Sequence, residues 1–304
     1  MLFTSSCMRK PLRLLTLLAF LAGARTQGAD ALNDEAKPPE VALENTEARS
    51  IASKIEGRTY GLLVALPDGY AESTRSYPVL YVLDGWHFPL VYFLAEEGVY
   101  SKKIPHLIVV TLDHGAGQKP RGTVMDLRRL DFTPTKVPGD DYSGGADKFL
   151  AFMEEELIPY VDATYRTDRT DRALLGHSYG GLFAIYALLH QPDLFGRIVA
   201  ASPSLGWDGG ALIKAAPGLL MQGKFRTRID FSYGSEELGE EKLESVQPFF
   251  WTLEALKPEG LDYRFTIYPG ENHNSVRPNS FSGGLAWVYG QTLGPTGIQG
   301  AERK

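Results

Sequence analysis

From about residue 50 onward, two kinds of apolar run alternate along the chain. Residues 78–84 (PVLYVLD) and 104–112 (IPHLIVVTL) are near-continuous aliphatic and β-branched stretches, the pattern of strands covered on both faces. Residues 60–66 (YGLLVAL) stop at Pro67-Asp68-Gly69, a turn signal that suits an early hairpin strand. Short buried strands are also expected at 173–175, 197–201, 225–233 and 263–268. Between them lie longer segments with helical spacing. Residues 146–165 place Phe149, Phe152, Met153, Leu157, Ile158 and Val161 on one face, and 88–100, 179–190, 241–256 and 281–293 also read as helices. Strand and helix in such alternation predict an α/β fold, with a mainly parallel central sheet and helices on both faces.

The two ends differ from this body. Residues 1–24 carry Arg9, Lys10 and Arg13 but no acid, then an apolar segment ending in Ala22, Gly23 and Ala24, the layout of a secretory signal peptide. The apolar segment is shorter than the roughly 20 residues of a spanning helix, so no stable membrane anchor is expected after cleavage. Residues 25–50 are polar and contain Pro38 and Pro39, and are expected to be a flexible linker. Residues 51–293 form the expected domain, and the Gly-containing 294–304 is expected to be a flexible tail. This layout predicts a periplasmic or secreted protein.

Composition narrows the chemistry. The single cysteine, Cys7, lies inside the leader, so the processed chain would have no thiol nucleophile, thiolate metal site or disulfide. The net charge of −6 becomes more negative once the leader's three cations are removed, and there are no basic runs, so nucleic acid is a poor partner. No His-Glu-x-x-His or comparable cluster occurs, and no metal is expected.

The stretch LLGHSYGG, 174–181, carries the chemistry. Gly176-His177-Ser178-Tyr179-Gly180 joins a predicted strand to a predicted helix, the context in which a serine at the apex of a strained turn projects its hydroxyl above the sheet. A capping serine in a glycine-rich turn is the plain alternative. A serine hydroxyl needs a base, itself oriented by a third group, and on this scaffold the order is Ser, acid, His. Downstream histidines are His190, at a helix end, and His273, in the polar loop YPGENHNSV after the last strand, so His273 is the expected base. His177 is expected to pack. Glu237 is the expected acid, with Glu236 in reserve, both following the strand at 225–233. The oxyanion donors are expected to be the N–H groups of Tyr179 and, in the loop Leu83-Asp84-Gly85-Trp86-His87, of Trp86.

YVLDGW (81–86), Arg128-x-x-Asp131-Phe132-Thr133-Pro134, GHSYGGLFAIYALLHQPDLFG (176–196), SPSLGW (202–207), the GSEE glutamates and GENHNSV (270–276) together resemble the putative esterase family of α/β-hydrolases, over about residues 55–290. That family includes enterochelin, salmochelin and bacillibactin esterases, formylglutathione hydrolases and the antigen 85 mycolyltransferases. The resemblance implies an exported serine carboxylic-ester hydrolase without cofactor, acting through an acyl-enzyme on a small-molecule ester, foremost a catecholate trilactone siderophore. It makes Ser178 the nucleophile and His273 the base, and leaves the acid as Glu237, Glu236 or absent in a Ser–His dyad. It offers Arg128 as a contact for an anionic substrate and Trp207 as an aromatic wall, while Gly206 stands where the family often has a further tryptophan. An acyltransferase, a polysaccharide or feruloyl-type esterase, and a non-catalytic binder on the same fold are the competing functions.

Overall fold

The computed structural model describes residues 42–115, 119–290 and 297–299. The described residues from Glu44 on form one compact unit; the leader and residues 25–41 of the linker lie outside the described residues. Among the described residues nine strands make one sheet: β1 (Thr46–Ser53), β2 (Arg58–Ala65), β3 (Tyr77–Leu83), β4 (Ile108–Asp113), β5 (Thr167–His177), β6 (Arg197–Ala201), β7 (Thr227–Gly234), β8 (Leu261–Tyr268) and β9 (Gly297–Gln299). Their spatial order is β1-β2-β4-β3-β5-β6-β7-β8-β9. β1 and β2 form an antiparallel hairpin and β2 runs antiparallel to β4, whereas every pair from β4 onward is parallel.

Strand parity sorts the core into two layers. Val79, Tyr81 and Leu83 of β3 point to one face with Leu174, Ile198, Ile229 and Phe231. Leu80 and Val82 point to the other with Ala173, Leu175, Val199 and Ala201. That second face is covered by two helices, α1 (Phe88–Tyr100) through Phe88, Val91 and Ala95, and α8 (Arg277–Tyr289) through Phe281, Leu285 and Val288. The first face carries α2 (Arg121–Phe132), α3 (Ala146–Phe152), α4 (Ile158–Thr164), α5 (Tyr179–His190), α6 (Trp207–Gln222) and α7 (Glu240–Leu256). This is the α/β-hydrolase fold.

Several expectations need correction. β1 begins at Thr46, inside the stretch expected to be linker, because β2 offers it a full antiparallel partner. The single helix expected over 146–165 passes through a π turn, Met153–Leu157, just before Pro159, whose ring removes an N–H from the ladder. α2 and α6 were not expected at all. In the C-terminal stretch, Gly297–Gln299 pairs with the open edge of β8; the rest of that stretch lies outside the described residues. No helix among the described residues is long and apolar enough to cross a membrane.

Candidate active site

β5 ends at His177 and α5 starts at Tyr179, so the change of direction falls on one residue. Ser178 occupies φ 61°, ψ −118°, a conformation that L residues avoid. A Cβ on Gly176 would lie 2.2 Å from the carbonyl oxygen of Gly180, and one on Gly181 would lie 2.9 Å from that of Ala201. Those two glycines are sterically obligatory. Gly180 is less constrained, since its Cβ would make an ordinary 3.4 Å contact with Leu83. The turn is fastened by its backbone: Ser178 N–H donates to Ala201 O at 3.0 Å, and Ser178 O accepts from the N–H groups of Leu182 and Ser204. The Ser178 hydroxyl lies 3.4 Å from that of Ser204.

His273 and Glu237 leave adjacent parallel strands, β8 and β7, so their loops emerge at the same sheet end. A Cβ on Gly234 would lie 2.1 Å from Glu271 O, and the Glu236 N–H donates to that same oxygen at 2.9 Å. The two loops are thereby held together by main chain. Glu237 Oε2 lies 2.7 Å from His273 Nδ1 and 2.7 Å from Lys242 Nζ, while Oε1 accepts from Gly234 N–H at 2.8 Å and from the Ser202 hydroxyl. Burial alone would raise the Glu237 carboxyl, but hydrogen bonds from His273, Lys242, Ser202 and Gly234 outweigh it and hold it down at about 2. A carboxylate this firmly charged is an acceptor for an Nδ1–H of His273, a contact that does not involve Nε2. Glu236 is exposed and contributes only its backbone. No hydrogen bond joins His273 to Ser178 among the described residues; such links are commonly long until a substrate docks.

His177 does more than pack. Its Nε2 lies 2.7 Å from His273 O, and the rings of His177 and His273 are 4.6 Å apart, so the residue before the serine fastens the loop that carries the base. Burial drives His177 to about 3, helped by nearby His273, and drives His87 to about 3, helped by Arg277 and Arg128. Both imidazoles are therefore neutral in the fold. In the unfolded chain they titrate near 6.5, so the stability they confer is complete above that value and is lost as pH falls toward 3. At pH 5 each should cost about 2 kcal/mol relative to pH 7. Urea denaturation at the two pH values checks this, and His87→Phe should flatten the slope.

Arg128 is not the substrate contact that the resemblance implies. It is 3 % exposed, and its guanidinium is spent inside the protein: Nε donates to Asp84 Oδ1 at 2.6 Å and a terminal nitrogen donates to His177 O at 2.9 Å. It also lies 5.5 Å from the Trp86 ring centre and 5.4 Å from that of Tyr179. One buried cation thus spans the turn at Asp84, where φ is 76°, and the serine elbow. The backbone N–H groups of Trp86 and Tyr179, at the starts of the turn Gly85–His87 and of α5, have no partner among the described residues. Arg128→Met should cost about 3 to 5 kcal/mol in urea denaturation, because Asp84 would be left charged and unpaired in the interior. Arg128→Lys should recover part of that loss; a loss of substrate affinity with no loss of stability would contradict this placement.

Trp207 is half-buried. Its indole N–H is 3.1 Å from Thr135 Oγ1 and its ring stands edge-on to Tyr179 at 5.5 Å. With Tyr179, Pro203, Ser204, Leu205 and Lys242 it lines a cavity of about 280 Å3 that reaches the serine through Ser204. A Cβ on Gly206 would come no closer than 3.9 Å to Ser245, so the backbone there has room for a side chain and carries none. His190 is a helix-end residue, its Nδ1 2.9 Å from Tyr186 O and its ring stacked on Tyr186. Lys242, Ser202 and Asp84 were missed by sequence reasoning. Asp84 and Ser202 had a signal, their places in the quoted segments YVLDGW and SPSLGW; Lys242 had none.

A family model described as "Putative esterase" matches residues 53–252. The chain is 28% identical over 256 residues to the Ferri-bacillibactin esterase BesA of Bacillus subtilis, covering 78% of this chain and 86% of that protein. It is 28% identical over 254 residues to the Apo-salmochelin esterase of Escherichia coli, covering 79% and 77%. The crystal structure of the BES protein from Bacillus cereus superposes with a TM-score of 0.73 at 28% identity, over 83% of this chain and 98% of that one.

Proposed function

The chain belongs to the putative esterase family and is a serine carboxylic-ester hydrolase, and from that premise we propose that it hydrolyses the ester bonds of a catecholate siderophore with Ser178, His273 and Glu237 as its triad. One observation carries the site assignment: His273 is held at Nδ1 by the Glu237 carboxylate and through its carbonyl by His177, the neighbour of Ser178. One nitrogen of the base is thereby left for the serine proton. The names of the two curated relatives support the substrate class.

In this reading Ser178 Oγ attacks the ester carbonyl as His273 Nε2 removes its proton, and Glu237 stabilises the imidazolium without taking the proton. The carbonyl oxygen becomes an oxyanion, received by the N–H groups of Tyr179 and Trp86. Collapse breaks the acyl–oxygen bond, His273 returns its proton to the departing alkoxide oxygen so that it leaves as an alcohol, and water then repeats the sequence to release the acid and free serine. Arg128 acts as a positioning residue, since it holds both donor turns without reaching the substrate. The leader-like stretch 1–24 supports action outside the cytoplasm, in the periplasm or medium.

Incubating the purified protein with a catecholate trilactone should yield linear trimer, then shorter fragments, by chromatography. Retained cleavage of simple aryl, feruloyl or acetyl-sugar esters with an untouched trilactone would overturn the substrate assignment. Transfer products formed in the presence of a polyol would favour an acyltransferase.

A further inference from the structure

Two helices of this chain begin on the wrong charge. α2 opens on Arg121 and α8 on Arg277; neither has an acid in its first turn or a capping side chain. A helix start carries partial positive charge, so an arginine there is disfavoured unless something negative sits nearby. Both side chains line one cavity of about 500 Å3, together with Trp86, Lys119, Val124 and Met125. That volume lies within the range of small-molecule sites. The cavity adjoins the catalytic apparatus, because Asn274, the residue after His273, also lines it.

No carboxylate is among the described residues that line this cavity. Arg121 has no side-chain partner among the described residues, and Arg277 and Lys119 donate only to the carbonyls of Asn274, at 2.8 Å, and His114, at 3.1 Å. The apolar part of the lining is equally specific. Trp86 is 40 % exposed and offers an indole face, with Met125 and Val124 beside it. Such a site favours a flat aromatic group that carries negative charge.

Metal-free catechol rings are uncharged phenols near neutral pH, whereas the same rings around iron(III) are phenolates and the whole complex is a trianion. We propose that this cavity receives the iron(III)-catecholate part of the substrate, so that the iron-loaded siderophore is cleaved in preference to the metal-free one. This rests on the siderophore-esterase reading above and selects one branch of it, since the names of the relatives fall on both sides of the iron question.

The test compares iron(III)- and gallium(III)-loaded trilactone with the metal-free form; gallium reproduces the charge without the redox chemistry. For the wild type, kcat/KM for both loaded forms should exceed that for the metal-free form by roughly tenfold or more at low salt, with the preference shrinking as salt rises. Arg121→Gln and Arg277→Gln should each lower kcat/KM for the loaded forms roughly tenfold more than for the metal-free form, and Arg121→Glu further still. Equilibrium binding of the gallium complex to Ser178→Ala, with and without Arg121→Gln, separates binding from turnover and should weaken to match. Equal cleavage of loaded and metal-free forms, or equal losses on both, would overturn the cavity assignment while leaving the esterase reading intact. Failure to cleave either form would overturn the siderophore reading and this inference with it.

Discussion

Ser178→Ala should lower ester hydrolysis by at least about 10,000-fold, leaving only the acceleration that binding and the oxyanion donors supply. In the proposed mechanism this hydroxyl forms the acyl-enzyme, and the chain around it would hardly notice its loss. The turn is fastened by the main chain of Ser178 and by glycine contacts, and the hydroxyl has only a 3.4 Å neighbour in Ser204. The variant should therefore melt with the wild type while failing to take a fluorophosphonate label. Comparable hydrolysis by both proteins, or a label that stays attached in the variant, would move the chemistry elsewhere.

Glu237→Gln should be nearly as damaging, at about 1,000-fold to 10,000-fold in kcat, by analogy with amide replacement of the acid in other triads. An amide can present its NH2 to Nδ1 and turn the imidazole to the wrong tautomer, and it cannot offset the imidazolium formed in the transition state. The same change would discard the charge that pairs with Lys242, so unfolding should be followed alongside activity. Glu236→Gln is the control. That side chain is exposed, and the backbone N–H that binds Glu271 O survives the substitution, so kcat should change by less than about twofold. A dyad mechanism predicts the opposite for Glu237, a small effect only.

Most of the fold was legible because its core is strongly patterned. Phe88–Tyr100, Tyr179–His190 and Arg197–Ala201 fall where the apolar runs place them, the first buried along one face and the other two almost throughout. α2 was hidden because its inward face is charged. Arg128 turns toward Asp84, and Asp131 binds Tyr60, His114 and Arg58, so a helix with a polar interior side lacks the usual signal. α6 was hidden by its start, where Asp208, Gly209 and Gly210 are all left-handed, and by Pro217 within it. Among the site residues, Ser178 and His273 announced themselves through turn chemistry and chain order. Arg128 did not, because its motif tells that it matters and not which way it faces. Whether an arginine on a helix meets solvent or a buried carboxylate depends on a residue forty-four positions away.

The hold of Thr135 on Trp207 bears on how this enzyme could diverge. Glu237 and His273 sit on loops fastened to each other by main chain, whereas the Trp207 indole is held by Thr135 and by its edge contact with Tyr179. No hydrogen bond joins Thr135 or Gly206 to Glu237 or His273 among the described residues, so variation at these two positions can reshape the chamber beside the serine. A lineage carrying this architecture can acquire a new diet by drift at the periphery, keeping its chemistry while its menu changes.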